Sequence, residues 1–84
     1  MKDEKIKESL DKLRKALNEL DPKDEASRKK LSKVIHEVDG RLSGKHERDL
    51  ENELNKAVVH FKVEHPVITE LINEIKMALY SLGL

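Results

Sequence analysis

Residues 65–84 read HPVITELINEIKMALYSLGL, and the apolar positions in this stretch decide the fold class. Ile68, Leu71, Ile72, Ile75, Ala78, Leu79 and Leu82 recur at three- and four-residue spacing, which places them on one side of a helix. Only Glu70, Glu74 and Lys76 carry charge. No other segment is as apolar, so the rest of the chain is expected to pack around it. Pro66 opens this helix at its first turn, where a missing amide hydrogen costs nothing. His65 stands at the N-cap position before it and organises the turn. Gly83 is placed to close the helix as a left-handed cap, with Leu84 folding back on Leu79.

Working backwards, Leu50, Leu54, Ala57, Val58 and Phe61 are in phase and predict a helix over about 46–61. Lys62 to His65 is the short connection, with Val63 expected to point inward. Leu31, Val34, Ile35, Val38 and Leu42 predict a helix over about 22–42, weakly extended by Ala26. Gly40 lies inside it at a cost of roughly 1 kcal/mol relative to alanine, but Leu42 keeps phase, so the helix reads through to Ser43-Gly44. Ile6, Leu10, Leu13, Leu17 and Leu20 form a narrow seam over about 3–20. Asp21-Pro22 ends that helix and is expected to start the next, with Asp21 as N-cap and Pro22 at the first helical position.

Four such segments with short connections predict one all-α domain over residues 1–84. The expected fold is a small antiparallel bundle with helices crossing at about 20°. No stretch alternates with period two, which excludes a sheet, and no repeat of solenoid length occurs.

Composition narrows the function classes. The 84 residues hold 17 Lys and Arg against 17 Asp and Glu, so the basic surplus of most nucleic-acid binders is absent. Residues 1–48 carry 14 basic against 11 acidic residues, and residues 49–84 carry 3 against 6. Without cysteine, disulfides and thiolate chemistry are excluded. The start lacks the apolar run of a signal peptide, and charge interrupts every stretch long enough to span a membrane, so a cytoplasmic protein is expected.

Sites for chemistry are sparse. His36, His46, His60 and His65 include no pair four apart, and His60 and His65 are separated by a turn, so no metal site is expected. Asp49/Glu53 and Glu70/Glu74 are carboxylate pairs on helices, read as solvated and lying off the apolar stripes. Serine nucleophile motifs and phosphate-binding glycine loops are absent. No catalytic residue and no cofactor is expected. Arg28, Lys29, Lys30 and Lys33 form a basic patch on the second helix that could meet phosphates, but no aromatic residue interleaves with it. On the last helix, Met77 and Tyr80 fall opposite the core stripe, with Asn73 one turn before Met77. A helix apolar on its back as well is a candidate for a two-fold homodimer contact, with Met77 adapting its shape and Tyr80 keeping its hydroxyl wet.

Two stretches carry a family resemblance. Phe61 to Pro66 reads F-K-V-E-H-P, and Ala78 to Leu84 reads A-L-Y-S-L-G-L. With a leucine-seam first helix and similar length, the chain resembles the small bacterial family known as domain of unknown function 4404. The specific match is Phe61, Val63, His65, Pro66, Leu79 and Gly83. Leu84 stands where isoleucine is expected, and Gly40 is foreign to the family pattern. The resemblance implies a bacterial cytoplasmic protein without catalytic residues, and no mechanism.

The favoured expectation is a non-enzymatic protein–protein interaction module or adaptor that forms a homodimer and engages a further protein partner. The alternative is weak nucleic-acid association through the basic patch. Salt separates them, because phosphate binding falls steeply as salt rises and apolar association does not.

Overall fold

The computed structural model describes residues 2–44 and 49–82. It consists of α1 Lys2–Glu19, α2 Glu25–Leu42, α3 Leu50–Phe61 and α4 Pro66–Ser81, with no strand among the described residues. The all-helical expectation holds. The expected start of the third helix at His46 and the Gly83–Leu84 closure lie outside the described residues. None of the described helices is long and apolar enough to cross a membrane.

The helices form a ring. α1 packs against α2 and α4, and α3 packs against α2 and α4, while the diagonal pairs make no close backbone approach. Inside it lie the expected stripes: Ile6, Leu10, Leu13 and Leu20; Leu31, Val34, Ile35 and Val38; Leu50, Leu54, Ala57 and Phe61; Ile68, Leu71, Ile72, Ile75, Ala78 and Leu79. Leu17, Leu42 and Val58 are half-buried against this core. The largest fully buried side chain is Phe61.

The first connection departs from expectation. Asp21-Pro22 ends α1 but does not begin α2. The Asp21 carboxylate accepts a hydrogen bond from the Lys23 amide at 2.9 Å, and the Asp21 carbonyl accepts one from the Asp24 amide at 2.9 Å. Pro22 thus occupies the second position of a tight turn, which its fixed φ favours. The cap falls to the next acid. Asp24 is the N-cap of α2, and its Oδ1 accepts from the Ser27 amide at 3.2 Å. With the helix starting later, Ala26 is exposed and Ser27 is buried. Ser27 lies four residues before Leu31, in phase with the stripe.

α2 passes through Gly40 and ends at Leu42. Gly44 adopts φ +92°, the left-handed region that glycine enters without penalty. α3 ends at Phe61, but Lys62 keeps helical dihedrals of φ −52° and ψ −40°. That continued curl corrects the reading of Val63. One further turn carries it onto the face of Val59, which is itself exposed, and Val63 is 88% exposed. The His65 amide then donates to the Phe61 carbonyl at 2.9 Å, and α4 starts at Pro66 as expected. Leu82, expected in the core stripe, is 42% exposed, because the last buried layer of α4 is at Leu79.

Candidate functional site

Three regions hold the residues singled out by the sequence. The first is the outer face of α4. Asn73 and Met77 are exposed and lie in one groove of about 630 Å³. Pro66, Glu70 and Glu74 also line it, with Lys5 of α1 and Lys62 of the α3–α4 connection. Tyr80 is exposed too, but turns towards α3. Its hydroxyl donates to Glu51 Oε1 at 2.6 Å, and the Lys76 ammonium lies 5.9 Å from its ring centroid. The hydrogen bond to Glu51 raises the Tyr80 pKa above the ordinary 10.0, assisted by partial burial and the negative charge of Glu51. A raised folded pKa means that this bond stabilises the fold below about pH 10 and is lost as pH rises through the folded value. Tyr80 is the only tyrosine, so phenolate absorbance during an alkaline titration reports it alone. Glu51→Ala is expected to move the midpoint back towards 10.0. An unchanged midpoint would show that Glu51 is not the cause.

The second region is the basic patch, which the fold divides. The Arg28 guanidinium donates to the carbonyls of Leu17 and Leu20 at 3.2 and 3.3 Å. It thereby caps the end of α1, where free carbonyls and the helix dipole favour a cation. Lys33 is drawn the other way, to Glu53 Oε1 on α3 at 3.3 Å. Lys29 is exposed and Lys30 half-buried. Glu53 corrects a further expectation. It is buried at 6% exposure, because it sits three residues after Leu50 and four before Ala57, on the apolar stripe rather than off it. Glu74 is half-buried and accepts from the Ser9 hydroxyl at 3.4 Å.

A third region, at the end of the bundle where both short connections meet, was legible only in part. The sequence marks Phe61, His65 and Pro66 as a structural turn and His60 as one of four histidines, but nothing in it points to Asp24 and Ser27 as their neighbours. The His60 ring stands edge-on to Phe61 at 4.8 Å, and the His65 ring does so at 5.7 Å. His60 Nε2 and Ser27 Oγ are 2.9 Å apart. Hydrogen bonding from the Ser27 hydroxyl and amide holds the Asp24 carboxyl below its ordinary value, aided by the nearby charges of His60 and His65. A serine beside a histidine is also the start of a nucleophile–base arrangement. Here the Ser27 hydroxyl is buried, at 4% exposure for the residue, and only His60 of the pair is exposed. Sequence spacing alone does not find this cluster, since 33 residues separate Ser27 from His60.

A family model, Domain of unknown function (DUF4404), matches residues 6–84. The chain belongs to this family. The DUF4404 match starts within α1 at Ile6 and takes in all of α2, α3 and α4. It therefore includes the groove on α4 apart from Lys5, the divided basic patch and the corner around Phe61. Comparison with curated proteins and with solved structures found nothing similar to this DUF4404 chain.

Proposed function

We propose that this protein is a non-enzymatic interaction module of the cytoplasm, and that it self-associates through the outer face of α4. The observation that carries the reading is the surface left around Met77. Met77 is 69% exposed in the α4 groove, although α4 is the most apolar of the four helices. Groups of both signs border it, Lys5 and Lys62 on neighbouring elements and Glu70 and Glu74 on α4. A two-fold pairing of such a surface sets the lysines of one copy against the glutamates of the other, so the same patch complements itself. Methionine suits the centre of such a contact because its flexible thioether adapts to an irregular partner. Tyr80 and Asn73 flank the contact, and the Glu51 bond fixes the tyrosine ring at little entropic cost.

Light scattering behind gel filtration tests this reading. The wild type is expected to run as a dimer, and Met77→Asp/Tyr80→Asp as a monomer that retains its helical circular dichroism. A wild-type monomer at tens of micromolar, or a mutant that stays dimeric, rejects this surface as the interface.

A further inference from the structure

We propose that Asp24, Glu64 and His65 bind one divalent transition-metal ion, represented by zinc, which staples the α1–α2 connection to the α3–α4 connection. One ligand atom from each of the three side chains lies within 4.8 Å of the others. Donors sharing one zinc ion stand roughly 3–3.5 Å apart, given bond lengths of about 2.0–2.2 Å. Small side-chain rotations close the difference, and no helix has to move. The donor set is one imidazole nitrogen and two carboxylate oxygens. Imidazole selects zinc and its first-row neighbours over magnesium and calcium, and water completes the coordination.

Besides the bond from the Ser27 hydroxyl, Asp24 Oδ1 accepts from the Ser27 amide at 3.2 Å. That bond fixes the orientation of the carboxylate, as outer contacts do for metal ligands generally. His65 occupies an N-cap position, yet its side chain makes no capping bond. Its ring stands against Phe61 instead, with centroids 5.7 Å apart. Glu64 has no hydrogen-bond partner among the described residues and stands exposed beside the other two. Two carboxylate oxygens and an imidazole nitrogen thus converge on one space, where a dication would be shared by all three.

The backbone holds all three in place before any ion arrives. The Asp21 turn and the α2 cap fix Asp24, while the bond from the His65 amide to the Phe61 carbonyl and the ring of Pro66 fix Glu64 and His65. Preorganised ligands on two short connections suit a structural ion, and a chain of this size gains from a staple. The site is independent of the α4 groove, so its fate and that of the dimer reading are separable.

The test uses the full chain, stripped of metal and titrated with zinc chloride by calorimetry. One ion per chain is expected. At about 100 times the dissociation constant the melting temperature should rise by roughly 10 °C or more. Glu64→Gln removes a ligand from an exposed position off every helix. Asp24→Asn removes one while keeping a residue that caps equally well. Each is expected to weaken zinc at least about tenfold, and Glu64→Gln to leave the metal-free melting temperature unchanged. His36→Asn is the control and should bind as the wild type does. Failure to bind zinc at about 100 µM, some hundred times weaker than a micromolar site, overturns the proposal. So does binding that survives both Glu64→Gln and Asp24→Asn, since the ion then sits elsewhere. Should Asp24→Asn lower the metal-free melting temperature, Glu64→Gln decides the matter alone.

Discussion

Phe61→Ala is expected to cost roughly 3–5 kcal/mol, the range for removing a fully buried aromatic ring. The ring is 0% exposed and is the largest such side chain in the core. It also gives His60 and His65 the surface against which they stand edge-on. Truncation therefore opens a cavity where α3 turns into α4 and loosens both histidines. Small domains have only about 5–15 kcal/mol in total, so the variant should be near unfolding at 37 °C. Urea denaturation followed by circular dichroism measures the loss. Val63→Ala and Pro66→Ala are the controls. Val63 is 88% exposed, and Pro66 occupies a first-turn position where no amide is needed, so both should be close to neutral. A near-neutral Phe61→Ala would show that the ring is not packed.

Lys33→Met is expected to cost roughly 1–3 kcal/mol, the penalty for stranding a buried acceptor. The side chain of Glu53 is 8% exposed, with Oε1 bonded to Lys33 and Oε2 buried without a hydrogen-bond partner among the described residues. Losing the ammonium leaves a carboxylate in the core without its counter-charge. The cost stays below the range of about 3–5 kcal/mol for a fully buried pair, because Lys33 is 57% exposed and water screens it. The converse change has the opposite sign. Glu53→Met fills the same space without an orphan oxygen and should be neutral or stabilising, and Lys33→Met/Glu53→Met should be more stable than Lys33→Met alone. A double-mutant cycle in urea gives the coupling directly. A neutral Lys33→Met would mean that the lysine contributes nothing to holding the carboxylate.

How far the sequence could be read depends on where each signal lies. The helices were legible because their stripes repeat locally, and every residue of the α4 stripe from Ile68 to Leu79 is buried. The failures came where two local rules compete. Asp21 and Asp24 both suit a cap, and the turn took the first of them. Val63 looked like a core residue because it is apolar, but the helical curl through Lys62 decided its direction. Glu53 reads as solvated by its charge, although its spacing from Leu50 and Ala57 puts it on the buried stripe. The groove residues Asn73 and Met77 were readable from α4 alone, since both follow from one helix's angular order. The meeting of Asp24 with Glu64 and His65 was not, because it is a product of the ring, which brings two distant connections to one end.

That ring also bears on how the chain folds. Three of its four contacts join helices adjacent in sequence, but the most extensive one joins α1 to α4, the first to the last. The broadest packing is thus the contact of greatest sequence separation, and it must wait for nearly the whole chain to come together. The entropy of closing so long a loop rises only with the logarithm of its length, which keeps the barrier modest. Until the two outermost helices meet, each presents half of an apolar surface with nothing against it. The topology works as a clasp, coupling both ends of the chain into a single cooperative unit.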